Sequence, residues 1–326
     1  MIDALANLMS QYPFLSNIII LALSFAIVIK ASDLIIFGIS NYAKKFGISD
    51  YLVGFLVVAF GMSLPEFMSS ITGAIARDSG IIFGTILGSN IITLTLMLGI
   101  MTIAGHKINM ESRLLRETGK YMIPLAVFPF LLFIDKYLSR TDGIILIFVF
   151  FIYIALLWQR EGTFGKLKKD VKFRIFWKDT AIFIGSLAAL LLSSRFLVFS
   201  SINIAHELKL SSYIVALTVI GIGSSIPDLM VQIKAIRTGH THVGFGNVLG
   251  STITKILLLL GIVALIYPVQ LQISKLLIAM LFYIISIVVV LIFIRSREMD
   301  YRHGIILLVI YALFMALQVL SEMGII

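Results

Sequence analysis

Apolar runs close to 20 residues long alternate with short polar stretches along the whole chain. A run of about 20 apolar residues is what a helix needs to cross a bilayer. Barrel strands would instead show segments of about ten residues with alternating polarity, and the sequence has none. The pattern predicts an all-α polytopic membrane protein with ten transmembrane helices. They cover residues 14–42, 50–76, 81–103, 122–133, 143–158, 180–204, 212–236, 243–266, 276–294 and 303–320.

Composition supports the membrane class. The chain is 60% hydrophobic and only 13% charged, which excludes a soluble domain of 326 residues. It contains no cysteine, so disulfides and thiolate metal sites are excluded. We expect the formal charge of +9 to reflect basic loops rather than nucleic-acid binding.

The basic residues predict the orientation. Eighteen of the 26 Lys and Arg residues lie in odd-numbered loops and five in even-numbered loops. Cytoplasmic loops are enriched in Lys and Arg. We therefore expect a multi-pass protein of the cell membrane with both termini outside and the central basic loop in the cytoplasm.

The chain contains an internal duplication. Residues 61–66 (Gly-Met-Ser-Leu-Pro-Glu) recur 162 positions later as residues 223–228 (Gly-Ser-Ser-Ile-Pro-Asp), with Gly, Ser, Pro and an acid in the same places. The same offset relates 84–89 to 246–251 without a gap. About a third of the positions in residues 49–103 match their partners, which indicates a true repeat.

The repeat divides the chain into two halves of five spans. We expect a first five-helix repeat in 1–159, a basic linker in 160–179 and a second five-helix repeat in 180–326. Because five is odd, the two copies cross the membrane in opposite directions. Inverted repeats of this kind build secondary transporters, whose substrate site lies near the bilayer midplane where the repeats meet.

Each copy places one carboxylate, Glu66 or Asp228, in an apolar span beside a proline. An intramembrane carboxylate is costly and indicates a functional site. We expect the proline to break the helix in each copy, because it removes a backbone donor and frees a carbonyl about one turn earlier. Carbonyl, hydroxyl and carboxylate oxygens together suit a hard cation, and Ca²⁺ takes six to eight such ligands.

The residues around the acids also have structural interpretations, in which they bind no cation. The glycines at four-residue spacing (84, 88, 246 and 250) are typical of close helix packing. Serines inside membrane helices often bond only to their own backbone. His240 and His242 fit a solvated loop better than a metal site. For Asp33 and its repeat partner Arg195 the sequence indicates only an ion pair or snorkelling, and we assign them no function.

The motif pair GMSLPEF…GTILGSN and GSSIPDL…GNVLGST resembles the two α-repeats of the calcium/cation antiporter superfamily, which includes the sodium/calcium exchangers. The α-repeats cover residues 49–104 and 211–266, and the ten-span frame with its basic linker agrees elsewhere. The resemblance implies an ion core made of the second, third, seventh and eighth helices. Glu66 and Asp228 would bridge calcium and the exchanged ion.

The resemblance also implies the remaining ligands. Hydroxyl ligands would flank the acids, and backbone carbonyls would join them. These positions are Ser63, Ser225, Ser89, Ser251, Ser224, Thr93, Ala59 and Gly221. No catalytic residue and no cofactor are expected. The implied partners are inorganic cations and the lipid bilayer, and we expect a monomer.

Two departures from the family pattern bear on the ions. Met62 stands where the family usually has threonine or serine before the motif serine. Four residues after the serine of the third and eighth helices, sodium-coupled members carry Asn and Asp, whereas this chain has Thr93 and Lys255. Lys255 lies one turn from Ser251, so we expect it to face the same cavity rather than to snorkel.

Lys255 changes the charge of the predicted site. Two carboxylates and an ammonium sum to −1, and an ammonium beside calcium in a low dielectric is strongly repelled. Either Lys255 loses its proton when a divalent ion enters, or the ion is not divalent. We expect the ammonium to take the place of a sodium ion, with protons as the coupling ion.

Other functions remain open from the residues alone. A proton-coupled exchanger for another cation such as Mn²⁺ uses the same chemistry. An intramembrane aspartyl hydrolase would use two acids, but Asp228 follows proline instead of lying in Gly-x-Gly-Asp. A channel does not need inverted repeats. Exchange of Ca²⁺ against H⁺ or Na⁺ is the favoured interpretation.

Overall fold

The computed structural model describes residues 13–46, 52, 54–75, 77, 79–105, 107–109, 113–161, 180–190, 192, 193, 196, 199, 200, 203, 221–270, 273–296 and 298–322. Nearly all of these residues are helical, and the β structure among them is four short strands. The predicted all-α class is confirmed.

The first half contains seven described α-helices and two π-helical turns, some joined end to end within one span. The first span is α1 (Pro13–Phe46). The second combines a π-helical turn (Gly54–Val58), α2 (Ala59–Met62) and α3 (Leu64–Ile75). The third combines α4 (Ser79–Ile92), a π-helical turn (Thr93–Met97) and α5 (Leu98–Gly105). The fourth and fifth are α6 (Arg113–Leu132) and α7 (Arg140–Glu161).

The second half follows the same order. The sixth span is helical over residues 180–190 (α8), and the seventh is α9 (Gly221–Arg237). The eighth combines α10 (Thr241–Ile253), a π-helical turn (Thr254–Leu259) and α11 (Leu260–Ile266). The ninth and tenth are α12 (Ile273–Arg295) and α13 (Tyr301–Glu322).

Two antiparallel strand pairs join loops at opposite ends of the spans. β1 (Lys107–Asn109) pairs with β4 (Glu298–Asp300), which links the third and ninth loops. β2 (Tyr137–Leu138) pairs with β3 (Val269–Gln270), which links the fourth and eighth loops. Odd loops thus meet odd loops and even loops meet even loops, as alternating spans require.

The third and eighth spans lie at the centre of the molecule. In Ile82–Gly105 and Thr241–Ile266, 72% and 83% of the membrane-length window is buried, against 28%, 28% and 22% in the fifth, ninth and tenth spans. These five helices are long and apolar enough to cross a membrane. Apolar side chains of the outer helices face the surrounding lipid. Phe148, Ile292 and Leu313, for example, each have more than half of their surface exposed.

Paired glycines let each central span approach an outer span. A Cβ on Gly304 would lie 2.7 Å from the Gly99 carbonyl oxygen, and one on Gly143 would lie 2.7 Å from the Gly261 carbonyl oxygen. Gly261 is the repeat partner of Gly99. The contact between the third and tenth spans is therefore the repeat equivalent of the contact between the eighth and fifth.

Two local predictions differ from the structure. The fourth helix begins at Arg113, whereas the predicted span began at 122. Its first two turns carry charged residues, so hydropathy detects only the apolar remainder, and the helix can extend beyond the bilayer. A helix break at the proline is found in the first copy, where Ser63 forms a turn, but α9 runs through Pro227 without interruption.

Some predicted segments lie outside the described residues. α7 continues to Glu161, past the predicted start of the linker at residue 160. The rest of the linker, residues 162–179, and the start of the second α-repeat, residues 211–220, are not among the described residues. The same holds for Arg195.

The second and eighth spans meet backbone to backbone. A Cβ on Gly250 would lie 2.8 Å from Phe55 Cα and 2.9 Å from Ala59 Cβ. The predicted packing role is therefore found at Gly250. At Gly84 and Gly88 no atom of the described residues lies within 4 Å of the added Cβ.

We expect Gly250→Ala to destabilise the fold, because the added methyl group meets backbone that cannot move aside. Overpacking of this kind costs about 1–3 kcal/mol. Gly84→Ala is the matched control, with open space around it among the described residues. Thermal unfolding in detergent measures both variants. Equal melting temperatures would contradict the close contact of the second and eighth spans.

Candidate cation site

Two repeat-related carboxylates lie inside the helical core. Glu66 lies in the first turn of α3, and Asp228 lies within α9. Asp228 is buried, whereas Glu66 is half-buried with its Oε2 atom hidden from solvent. Glu66 Oε2 and Asp228 Oδ1 accept no hydrogen bond from any described residue. The two carboxylates interact electrostatically, so they share one environment.

Lys255 points into this environment. Its side chain is 1% exposed, and Nζ donates a hydrogen bond to Thr93 Oγ1 at 3.3 Å. Its charge also interacts with those of Glu66 and Asp228. Lys255 therefore does not snorkel, and it contacts its own repeat partner across the centre of the molecule.

The lysine and its partner lie on matching irregularities of the helices. Thr93 opens the π-helical turn of the third span, and Lys255 is the second residue of the turn in the eighth span. A π-helical turn widens the backbone and is frequent at functional sites. The repeat thus places a π-helical turn at nearly the same point of both central spans, and the hydrogen bond from Lys255 to Thr93 joins them.

The candidate hydroxyl ligands bond to their own helices. Ser63 Oγ donates to the Ala59 carbonyl at 2.7 Å, and Thr93 Oγ1 donates to the Ser89 carbonyl at 2.7 Å. Ser251 and Ser89 likewise donate to carbonyls three residues earlier in their own helices. A hydroxyl that donates its hydrogen keeps its acceptor lone pairs. These bonds therefore orient the oxygens without removing them as cation ligands.

The structure describes some of the remaining predicted ligands with their side chains and others by their backbone alone. Ser225 is buried in α9, three residues before Asp228. Gly221 is the first residue of α9, and Ser224 lies in the same helix, with its side chain outside the described part. The Ala59 carbonyl accepts the Ser63 N–H at 3.1 Å as well as its hydroxyl.

Met62 packs among apolar side chains and does not serve as a cation ligand. It is buried in an apolar cluster with Ala31, Ile35 and Val58, which joins the second span to the first. A thioether is a weak acceptor and a poor partner for a hard cation. The first repeat therefore lacks one hydroxyl that the family pattern would supply.

Three buried amides were not predicted from the sequence. Asn90, Asn247 and Gln232 are 0% exposed, and their side-chain nitrogen and oxygen atoms have no hydrogen-bond partner among the described residues. Asn247 lies beside the Asp228 carboxylate, without the alignment of a full hydrogen bond. The sequence does indicate Asn247, because it lies one turn before Ser251 and residues four apart share a helix face.

Other polar candidates lie outside the site. His240 is the residue immediately before α10, and His242 lies in the first turn of that helix. In the described ranges no group of three or more His, Asp or Glu residues is arranged to hold a metal. Asp33 Oδ1 pairs with Lys234 Nζ at 2.8 Å, which ties α1 to α9. Both members of this pair are about one-third exposed.

A family model described as sodium/calcium exchanger protein matches residues 16–159 and 178–320. The match covers most of both halves. The chain belongs to the sodium/calcium exchanger family. The resemblance inferred from the two α-repeats is confirmed, as is the expectation of a membrane transporter rather than an enzyme.

The exchanger has relatives in archaea and bacteria. It is 28% identical to the sodium/calcium exchanger MaX1 of Methanosarcina acetivorans, over 92% of this chain and 97% of the relative. It is 30% identical to the inner membrane protein YrbG of Escherichia coli, over 76% of this chain and 79% of the relative.

Solved structures of the sodium-calcium exchanger NCX_Mj share the exchanger's fold. One of them, soaked with 10 mM Na⁺ and zero Ca²⁺, superposes with a TM-score of 0.83 at 24% identity and covers 93% of this chain and 99% of that one. The likeness confirms the predicted ten-helix fold of two inverted five-helix repeats.

Proposed function

We propose that the exchanger moves a divalent cation, Ca²⁺, against monovalent cations around Glu66 and Asp228 near the bilayer midplane. The supporting observation is the pair of buried, repeat-related carboxylates whose inner oxygens accept no hydrogen bond from the described residues. A buried carboxylate without a partner is costly. A cation between the two acids removes that cost. The names of the relatives agree with this substrate class.

The proposed ligands surround the acids. Side-chain oxygens come from Ser63, Ser225, Ser89, Ser251, Ser224 and Thr93, and backbone carbonyls come from Ala59 and Gly221. The hydroxyls of Ser63 and Thr93 are already oriented by bonds to their own helices. Six to eight oxygens at one place match the coordination of calcium.

Lys255 acts as a tethered monovalent cation in this proposal. Its ammonium donates a hydrogen bond to Thr93 Oγ1, an oxygen that a soluble cation would otherwise contact. With Lys255 charged, the site carries −1, and no sodium ion is needed to balance the second carboxylate. Entry of a divalent ion is favoured when the lysine gives up its proton, so we propose protons as the coupling ion.

The inverted halves provide alternating access in this proposal. The central third and eighth spans carry the ligands, and each packs on an outer span through a repeat-related glycine contact. Two arrangements related by the repeat open the site to opposite sides. The basic odd loops would face the cytoplasm and both termini the outside. The strand pair between the third and ninth loops supports placing these two loops on the same side of the membrane.

Counter-exchange separates this function from a channel. Proteoliposomes loaded with unlabelled calcium should take up labelled external calcium faster than empty vesicles do, because each inward step follows an outward one. Equal uptake by loaded and empty vesicles would indicate a channel, and no uptake by either would refute calcium transport.

A further inference from the structure

Two of the three buried amides lie in α9 and α10, on the helices next to Asp228. Gln232 and Asn247 are 0% exposed, and all four of their side-chain polar atoms are without a hydrogen-bond partner among the described residues. Apolar side chains would avoid this cost in a membrane helix. Their presence indicates a ligand that uses them.

The packing of α9 against α10 places both amides next to Asp228. The Gln232 carbonyl oxygen lies 3.6 Å from where a Cβ on Gly244 would stand, so the two helices touch there. One turn back along α9 is Asp228, and about one turn forward along α10 is Asn247. Asp228 and Asn247 are indeed neighbours. Because the helices run antiparallel, these two steps lead in the same direction, towards the centre.

The direction away from the centre leads to one membrane surface. α9 ends at Arg237 and α10 begins at Thr241, so Gln232 lies between the acid pair and the surface marked by Arg237. We call this surface the Arg237 side. The surface marked by the β2–β3 strand pair is the opposite one, called the Tyr137 side.

The repeat does not preserve the amides. The partners of Gln232 and Asn247 in the first half are Ser70 and Thr85, which carry short hydroxyl side chains. The two halves therefore differ in chemistry at these positions. Amide oxygens reach further than hydroxyls and are good ligands for calcium.

We propose that Asp228 Oδ1, Gln232 Oε1 and Asn247 Oδ1 form a second cation site on the Arg237 side of the acid pair. A divalent cation entering from that side binds there after losing part of its water and then passes to the acids. This site rests on the proposed function, since it serves the same transported cation.

The test compares Gln232→Met with Ser70→Ala in proteoliposomes of one orientation. The apparent KM for Ca²⁺ entering from the Arg237 side should rise about tenfold in Gln232→Met, which corresponds to about 1.4 kcal/mol. The KM from the Tyr137 side should stay at the wild-type value, which also shows that the variant is folded. Ser70→Ala should leave the KM from the Arg237 side unchanged.

Gln232→Glu provides an independent arm if Gln232→Met does not fold. It adds a carboxylate at the same position and should lower the KM from the Arg237 side at least about threefold. An unchanged KM from that side in either folded variant would overturn the second site and leave the proposed function intact. Absence of calcium flux in the wild type would instead refute the proposed function.

Discussion

Glu66→Gln and Asp228→Asn are each expected to reduce calcium exchange to the level of protein-free vesicles. Each variant keeps the side-chain shape but halves the negative charge that balances a divalent ion. Both are expected to fold, with changes in the free energy of unfolding below about 2 kcal/mol. Labelled calcium flux measures the first effect, and thermal unfolding in detergent measures the second.

Asp33→Asn is the matched control for these variants. It also removes a carboxylate from a membrane helix, but Asp33 pairs with Lys234 outside the site. Partly exposed pairs contribute about 0–1 kcal/mol, so exchange should persist. Wild-type transport by either Glu66→Gln or Asp228→Asn would remove that carboxylate from the site.

Substitution of Lys255 is expected to change the coupling ion. Wild-type flux should need no sodium and should rise with pH between about 6 and 9, because alkalinity favours the neutral amine. Lys255→Ala should flatten this pH dependence. Lys255→Asp should confer sodium dependence of at least about tenfold, which equals a coupling free energy of about 1.4 kcal/mol.

Lys30→Ala is the control for the lysine variants, because Lys30 also lies in a membrane helix but is exposed on α1. Its pH dependence and sodium independence should match the wild type. A wild-type pH profile in Lys255→Ala would show that the lysine does not set the coupling ion.

The features that recur in the sequence were predictable. The duplicated Gly-x-Ser-x-Pro-acid motif identified Glu66 and Asp228, and the five-span halves predicted the inverted fold. The position of Lys255 one turn after Ser251 predicted its burial, since a helix fixes which residues share a face. Periodicity carries this information because the helix period is constant.

The features that depend on contacts between spans were not predictable. The π-helical turns at Thr93 and Lys255 leave no compositional mark. Neutral amides such as Gln232 and Asn247 do not interrupt an apolar run as a charge does, and their lack of hydrogen-bond partners among the described residues is visible only in three dimensions. The continuity of α9 through Pro227 also depends on how neighbouring helices support the freed backbone.

The ligand roles of the serines stay predictions. The structure shows Ser63 and Ser251 bonded to their own backbones, which either interpretation of these residues allows. Ion binding by serine variants in the presence and absence of calcium would distinguish the two, since a purely structural serine leaves the affinity unchanged.

The most direct test of the tethered-cation account is calcium uptake by wild-type proteoliposomes under imposed sodium, potassium or proton gradients in turn. We expect uptake that is driven by the proton gradient, with no response to sodium or potassium. Sodium-driven calcium uptake that is insensitive to pH between about 6 and 9 would contradict it.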